Sequence, residues 1–454
     1  MKADPYYPRI LIVNAHFTEQ SGSGTFLGRL FSGWPIDNIA TVCGDSFIPD
    51  WKRCRLHFRS GEFRFPMNKL IDWFGPSMSS GVVHPSTQIS ASIDTSSSNS
   101  AFHQVSFKHR VIRLLWRLLL RLLGGGEIFY SDNPSPKLLR WIQNFKPEVI
   151  YGHCTGINSV VFLLRLQEVL NIPLVLHLMD DWSETNYRNG LLAKIIRPRF
   201  EIEFNKLMQI ADVRIAICEE MAKEYILRYQ TPVSSLPMPV ELDAYSATTR
   251  NNWAAGKPFR LRYGGRVGWA INDCLLDIAK SIHLLRQNGV DVVFDLVTFQ
   301  TEEVPAECYT LNGVNVQLPG ALVDLPRNQS EADVLIICYD FDPKSISQAR
   351  YSMPSKLADC MASGTPILVY GPAGLPVVEY ARRERWGKVV DTREPSVLQT
   401  AVCELIASAS LRERFGHTAR ELALKRHDSK VVSEEIRRIL MDAVGNREEL
   451  LISE

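Results

Sequence analysis

The residues of this chain with the clearest chemical potential lie between positions 350 and 374. Ser355, Lys356 and Asp359 come just after a proline, at the predicted start of a helix that Gly364 ends. A lysine near the positive end of a helix favours an anionic phosphate, and a carboxylate three residues later lies on the same face. That carboxylate could accept hydrogen bonds from two ribose hydroxyls. The alternative is a capped amphipathic helix with an i,i+3 ion pair, and the spacing alone favours neither.

Two glycine-rich turns each follow an apolar run and precede a helical pattern. The first contains Gly22 and Gly24, and the second contains Gly264, Gly265 and Gly268. Glycine lets the backbone approach a ligand, and the amides of the following helix can bind anionic oxygen. Neither turn matches a phosphate-binding loop, which ends in Gly-Lys-Ser/Thr, or the GxGxxG dinucleotide pattern. Taken alone, the glycines are explained somewhat better by tight turns than by ligand sites.

Patterns that bind metal ions are weak in this sequence. Asp340 and Asp342 form a DxD triplet, which binds a metal ion in some enzymes, but they follow a predicted strand and are interpreted as a solvated loop. The nine cysteines are scattered, without CxxC pairs or Cys/His clusters of zinc spacing. The sequence therefore predicts no metal site, no disulfide framework and a reduced, cytoplasmic setting.

The alternation of apolar runs with helical patterns predicts the elements that position these residues. Short apolar runs are typical of strands buried on both faces of a parallel sheet, and they occur at 9–15, 148–151, 173–178 and 213–217. A proline-rich linker at 234–245 follows, and the same alternation restarts at 259–263.

This pattern predicts the α/β class, with two Rossmann-like doubly wound domains that face a central cleft. The predicted domains are residues 1–238 and 239–428, and a final helix within 429–454 is predicted to cross back to the first domain. Ligands of such sheets bind beyond the carboxyl ends of the strands, where both glycine turns are expected to lie.

The composition limits the class of function. The chain has 454 residues, of which 45% are hydrophobic and 22% charged, enough for two domains. Basic and acidic side chains leave a formal charge of +1, which argues against general nucleic-acid binding. The first residues lack the apolar region of a signal peptide, and no run is long enough to span a bilayer. The chain is therefore expected to be cytoplasmic.

Two neighbouring segments depart from the regular alternation. Residues 75–105 are serine-rich and are predicted to form a flexible insertion. Residues 108–123 form a predicted helix whose four arginines, Arg113 and Arg117 among them, stack in one stripe beside an apolar face that includes Trp116. This arrangement is typical of a helix on an anionic membrane surface, here the inner face of the cytoplasmic membrane. The alternative is a buried helix whose arginines snorkel or pair with acids.

Several segments resemble the family 4 (group 1) glycosyltransferases of the GT-B type, especially bacterial members that build cell-surface polysaccharides. They are IADVRIAICEEMAKEYILRYQ, RYGGRVG, EADVLIICYD and PSKLADCMASGTPIL. The similarity covers essentially the whole chain apart from the serine-rich insertion and is weakest between about residues 45 and 140. It implies a retaining transfer of a sugar from a nucleotide-sugar donor to a glycan or lipid-linked acceptor in polysaccharide biosynthesis, without a cofactor or metal.

The resemblance also implies roles for the donor-binding residues. Asp359 falls at the second glutamate of the family's paired motif, which binds the ribose. Tyr351 falls at the first glutamate, so the family's contact to the donor sugar is missing. Arg266 matches the arginine of the GGR opening, and Lys356 is its basic partner at the diphosphate, although the lysine usual after that arginine is absent. The predicted donor-binding set is Gly264, Gly265, Arg266, Gly268, Ser355, Lys356 and Asp359.

The reaction centre implied by the resemblance lies in the first domain. His177 matches the histidine that lines the donor sugar, and Asp180 and Asp181 follow it in HLMDDW. We interpret these three as catalytic groups that orient or polarise the reactants, rather than as a two-carboxylate hydrolase pair. Gly22 and Gly24 are assigned to the acceptor side of the cleft.

Three other functions are compatible with parts of the pattern. A nucleotide-sugar epimerase of the same architecture would use water in place of an acceptor. A non-catalytic membrane-associated scaffold would explain the missing first glutamate. A dinucleotide oxidoreductase is disfavoured because neither glycine turn carries the fingerprint.

Overall fold

The computed structural model describes residues 6–18, 22–44, 48–60, 80–85, 133–188 and 190–453. It divides into two compact units, Met1–Ser235 with Ser433–Glu454, and Leu236–Val432. The predicted membrane helix at 108–123 lies outside the described residues. None of the described helices is both long enough and apolar enough to cross a membrane.

The first unit is built on an eight-stranded sheet. Its strands are β1 Ile10–Val13, β2 Ile39–Cys43, β3 Leu56–Arg59, β4 Gly81–Val83, β5 Val149–His153, β6 Leu174–Leu178, β7 Val213–Ala216 and β8 Ser234–Ser235. Their order is β4-β3-β2-β1-β5-β6-β7-β8. All neighbours are parallel except β3 and β4, which are antiparallel. The apolar runs of β1, β5 and β6 are fully buried, as expected for parallel strands covered on both faces.

One strand of this sheet corrects a prediction. β4 falls inside the segment 75–105 that was expected to be flexible throughout. Gly81–Val83 instead pairs with β3, and Val83 is buried while Val82 is exposed. Buried and exposed residues alternate along β4, as in a strand with one buried face. This short part of the segment therefore forms the edge of the sheet.

Helices connect the strands of the first unit. They are α1 Gly22–Leu30, α2 Pro136–Phe145, α3 Ile157–Leu170, α4 Trp182–Thr185, α5 Ala193–Ile210 and α6 Glu219–Tyr229. The start of α2 follows the expected capping chemistry, since the Ser135 hydroxyl accepts a hydrogen bond from the Leu138 amide and a proline occupies the next position.

The second unit is a six-stranded, wholly parallel sheet. Its strands are β9 Phe259–Gly264, β10 Val292–Val297, β11 Val314–Gln317, β12 Val334–Cys338, β13 Ile367–Tyr370 and β14 Lys388–Val390. The order is β11-β10-β9-β12-β13-β14. Counted within the unit this is 3-2-1-4-5-6, the order of dinucleotide-binding Rossmann sheets.

The helices of the second unit surround this sheet. They are α7 Asn272–Gln287, α8 Leu325–Ser330, α9 Pro343–Ala349, α10 Leu357–Ala362, α11 Pro376–Glu384, α12 Pro395–Ala407 and α13 Ala409–Leu422. A π-helical turn, Ala423–His427, leads into α14, Ser429–Ser453. This last helix starts in the second unit and belongs to the first unit from Ser433 onward.

Candidate functional site

The strand order of the second unit reverses between β9 and β12. Ligands of doubly wound sheets bind outside the carboxyl ends of the strands at such a point. Gly264 ends β9 there, and Gly265 and Gly268 follow with φ angles of 149° and 105°. These angles belong to the region that glycine adopts readily, and a Cβ at Gly268 would lie 2.2 Å from a carboxylate oxygen of Glu303. The conformation of the turn therefore favours glycine at positions 265 and 268.

Lys356 lies against this turn. Its Nζ donates a hydrogen bond to the Gly264 carbonyl at 3.2 Å and lies 3.5 Å from the centre of the Tyr263 ring. A Cβ at Gly265 would lie 3.3 Å from the same Nζ. The lysine is half-buried, and burial lowers its pKa. The structure thus brings Lys356 to the glycine turn, 92 residues away in sequence.

Arg266 adds a second positive charge to the turn. Its side chain is exposed, and its carbonyl accepts a hydrogen bond of 2.5 Å from the Tyr263 hydroxyl. Burial raises the pKa of Tyr263, whereas the charge of Arg266 opposes that rise. Tyr263 therefore anchors the turn and touches Lys356 with its ring, which places both cations at the end of the central strand.

Asp359 is placed differently from Lys356. It is buried, and its Oδ1 lies 2.9 Å from the Tyr245 hydroxyl. The predicted helix also begins later than expected, because α10 starts at Leu357 and contains six residues. Ser355 is exposed in the turn before it. Lys356 is the N-cap residue of α10, and its side chain contacts the glycine turn, whereas the carboxylate of Asp359 contacts Tyr245.

The DxD triplet caps two helices. Asp340 Oδ1 accepts a hydrogen bond from the Cys274 amide at 2.8 Å, and Asp342 Oδ1 accepts from the amides of Lys344 and Ser345 at 3.0 and 3.1 Å. Burial raises the pKa of Asp340, and the hydrogen bonds lower the pKa of Asp342. The prediction of a solvated loop is wrong for Asp340, because capping the first turn of α7 draws that carboxylate into the interior.

A cavity of about 470 Å³ lies beside the same glycine turn. Four of its lining residues are carboxylic acids, so its negative charge makes it unsuitable for a diphosphate. Its lining consists of Gly268, Trp269, Ala270, Asn272, Asp273, Glu303, Asp340, Asp342 and Ser345.

His177 is buried near the carboxyl end of β6 in the first unit. Its Nδ1 lies 2.5 Å from the Tyr151 hydroxyl, and its Nε2 has no hydrogen-bond partner among the described residues. Burial raises the pKa of Tyr151 and lowers that of His177. The tyrosine therefore keeps its proton and can donate it to Nδ1, which leaves the hydrogen of the neutral imidazole on Nε2.

His153 is a neighbour that the sequence reasoning missed. It is the register partner of His177 across β5 and β6, and the two ring centres are 5.7 Å apart. Burial lowers its pKa to about 4, and its Nε2 also lacks a partner among the described residues. The signal was available, because both EVIYGH and PLVLHL carry a histidine near the end of a predicted parallel strand.

Asp180 and Asp181 have different surroundings. Asp180 is half-buried in the loop between β6 and α4. The Asp181 carboxylate is buried, and its Oδ1 accepts hydrogen bonds from the hydroxyls of Ser183 and Tyr225 at 2.8 and 2.9 Å and from Arg228 at 3.0 Å. Asp181, which the sequence analysis interpreted as a catalytic group, therefore ties this loop to α6.

The first glycine pair lies inside a helix. Gly22 and Gly24 occupy the first turn of α1, although the sequence predicted a turn that precedes the helix. A Cβ at Gly24 would lie 2.3 Å from the Thr18 carbonyl oxygen. Close packing of α1 on the preceding backbone thus explains Gly24.

Metal ligands do not cluster in the part of the chain that the structure describes. No group of three or more histidine, cysteine, aspartate or glutamate side chains there is placed to hold an ion. All cysteines are free thiols, and only Cys403 among them is exposed.

Several proteins of solved structure match this chain over nearly its whole length. No protein-family model matches the chain, and no curated protein matches it. HepE from Anabaena, solved in complex with UDP and glucose, matches with a TM-score of 0.58 and 13% identity over 96% of this chain and 100% of that chain. Sucrose-phosphate synthase from Thermosynechococcus elongatus matches with a TM-score of 0.58 and 12% identity over 96% of this chain and 99% of that chain. WaaG, a glycosyltransferase involved in lipopolysaccharide biosynthesis, matches with a TM-score of 0.56 and 12% identity over 95% of this chain and 99% of that chain.

The chain has the GT-B fold. The match extends over nearly the full length of each neighbour, so it includes both doubly wound sheets. The α/β fold class predicted from the alternating pattern is confirmed, and so is the resemblance to GT-B glycosyltransferases at the level of the fold. In this chain, the turn that contains Arg266 and contacts Lys356 lies where the second sheet reverses its strand order.

Proposed function

We propose that this chain is a retaining glycosyltransferase that moves a sugar from a nucleotide-sugar donor to an acceptor. The observation that carries the proposal is the meeting of Lys356 with the glycine turn at the strand-order reversal of the second sheet. HepE, which has the same fold, is described in complexes with UDP and with UDP-glucose. A uridine diphosphate sugar is therefore the first donor to test.

The proposed donor site uses positive charge on the leaving group. Cleavage of the sugar–phosphate bond develops negative charge on the diphosphate, and preorganised cations stabilise that charge. Lys356 and Arg266 supply two such cations beside the exposed Gly264 and Gly265. With these charges the leaving group needs neither a metal nor a cofactor.

The remaining roles are assigned as follows. Asp359 binds the ribose hydroxyls, with its carboxylate oriented by the Tyr245 hydroxyl. In the first unit, we assign His177 and Asp180 to orienting or polarising the reactants. Because burial keeps His177 neutral, it acts by hydrogen bonding and not by charge. Asp181 supports this loop through Arg228.

The resemblance in sequence supports the proposed acceptor, and the arginine stripe predicted in residues 108–123 supports the proposed location. We propose a glycan or lipid-linked acceptor in polysaccharide biosynthesis. We also propose a cytoplasmic enzyme that binds the inner membrane face through residues 108–123. A peripheral enzyme held in this way could reach a lipid-linked acceptor directly.

The donor site is tested by measuring UDP affinity calorimetrically. A charge-assisted contact contributes about 1.5–3 kcal/mol, so Lys356→Ala is expected to weaken UDP binding roughly tenfold or more. Lys280→Ala is the matched control, because Lys280 is an exposed lysine of the same unit that pairs with Glu307 on the surface. If Lys356→Ala and Arg266→Ala both fold and bind UDP as tightly as the wild type does, the proposed donor site is wrong.

A further inference from the structure

Helix α5 of the first unit, Ala193–Ile210, carries apolar residues on two faces. The inner face packs in the core and contains Ile196, Phe200, Phe204 and Leu207. The outer face contains Leu191, in the turn before the helix, with Ile195 and Ile202. These three side chains are 70%, 70% and 69% exposed. A surface helix of a globular protein normally places only polar residues on its outer face.

The outer apolar residues form one narrow stripe. Leu191, Ile195, Pro198 and Ile202 are spaced by four, three and four residues. At about 100° per residue they fall within an arc of roughly 60°, on the side opposite the core residues. Scattered exposed apolar residues are ordinary, but an aligned row opposite the core is not. We call this row the α5 stripe.

Basic residues flank the α5 stripe on both sides. Lys194 lies at one edge, and Lys206 and Arg199 lie at the other, all exposed. Glu201 lies near the Lys194 edge, but its charge is balanced by Arg197, whose Nε lies 2.8 Å from its carboxylate. Glu203 lies beyond Arg199 at the other edge. With four basic and two acidic side chains, α5 has a net positive charge, although the whole chain is nearly neutral.

We infer that the α5 stripe is a membrane-binding surface that inserts its apolar side chains into a bilayer rich in anionic lipid. A helix of this kind lies in the interface plane, with apolar residues at the acyl boundary and basic residues among the headgroups. The net positive charge of α5 fits anionic lipid. The inference rests on the proposed function only for the lipid-linked acceptor, which makes such a location useful.

This surface is distinct from residues 108–123, and a membrane-bound enzyme could use both. Each lysine near an anionic surface contributes about 1 kcal/mol, so removal of two should lower the partition coefficient roughly 30-fold. Removal of two inserted isoleucines should lower it by a further factor on the order of 100. The stripe therefore predicts binding that depends on salt and on apolar side chains together.

The test is sedimentation of the full chain with vesicles of phosphatidylglycerol and phosphatidylcholine, compared with vesicles of phosphatidylcholine alone. The wild type is expected to bind the anionic vesicles, less so as salt is raised. Ile195→Ser/Ile202→Ser and Lys194→Gln/Lys206→Gln should each reduce binding. The control, Leu284→Ser/Val397→Ser, removes two exposed apolar residues of the second unit and should bind like the wild type.

Three results would overturn the inference. The first is a wild type that stays in the supernatant, and the second is sedimentation of both α5 variants like the wild type. The third is a dimer, seen by sedimentation velocity without lipid, that Ile195→Ser/Ile202→Ser makes monomeric, which would assign the stripe to a second copy of the chain. UDP affinity, measured on the same samples, reports on the proposed donor site separately.

Discussion

The charge of Lys356 is useful because of its neighbours. Its Nζ is held by a carbonyl oxygen and by the ring of Tyr263, neither of which carries a formal charge. A lysine paired with a carboxylate would be neutralised, whereas neither of these two neighbours offsets the charge of Lys356. The cation–π contact also fixes the position of a flexible side chain before a ligand arrives. Preorganisation of this kind is what stabilisation of a leaving group requires.

His177 offers a sharper test at the same scale. His177→Ala should lower turnover tenfold or more, because it removes a positioned hydrogen-bond donor, and should leave UDP affinity unchanged. Tyr151→Phe should also lower turnover, since it removes the hydroxyl that selects the tautomer of the imidazole. Steady-state kinetics and UDP titration on the folded variants check both. Near-normal turnover in His177→Ala would remove this residue from the reaction centre.

Residue types were easier to predict than their partners. The spacing of Lys356 and Asp359 suggested a shared helical face at the start of α10, where Lys356 is the N-cap residue, but it did not identify what each side chain contacts. The lysine turns to Gly264 and the aspartate to Tyr245, contacts between segments that no local pattern relates. His153 was missed for a related reason, because its significance depends on its register with His177.

At the scale of elements, Asp181 links the β6–α4 loop to α6. Its carboxylate is 3% exposed and meets the half-buried guanidinium of Arg228. Loss of the carboxylate charge would remove this ion pair from the guanidinium, which also pairs with Glu224. We expect Asp181→Asn to reduce the free energy of unfolding by about 2 kcal/mol.

Urea denaturation followed by fluorescence measures this effect. Glu201→Gln is the control, because it removes a surface ion pair with Arg197 on α5 and should cost less than about 1 kcal/mol. Equal shifts of the unfolding midpoint in the two variants would show that Asp181 has no special structural task.

The elements themselves were largely predictable, because buried parallel strands appear as short apolar runs. VLIIC and ILVY became β12 and β13, and every residue in them is buried. Gly22 and Gly24 were assigned to a turn because glycine usually breaks helices, yet Gly24 is required inside α1 by contact with Thr18. β4 was missed because three residues form a strand only through pairing with β3.

At the scale of the whole molecule, buried histidines predict a response to acid. Burial lowers the pKa of His57, His153 and His427 to about 4 in the folded chain. An unfolded histidine has a pKa of about 6.5, so between these values the unfolded state binds more protons. The free energy of unfolding should therefore fall as pH decreases from about 6.5 to about 4, and this contribution should be constant above pH 7.

Unfolding curves at several pH values check this response. His427→Gln should weaken the pH dependence, because it removes one buried titrating group. The same acid dependence in His427→Gln and in the wild type would contradict the assignment.

The central claim is transfer of a sugar from a nucleotide donor to an acceptor, and one measurement tests it most directly. The purified chain is incubated with UDP-glucose and other nucleotide sugars, with and without free or lipid-linked glycans, while released nucleoside diphosphate is quantified. We predict release only when both a donor and an acceptor are present, and a product that keeps the anomeric configuration of the donor. Release without an acceptor, or no release with any donor, would contradict the account.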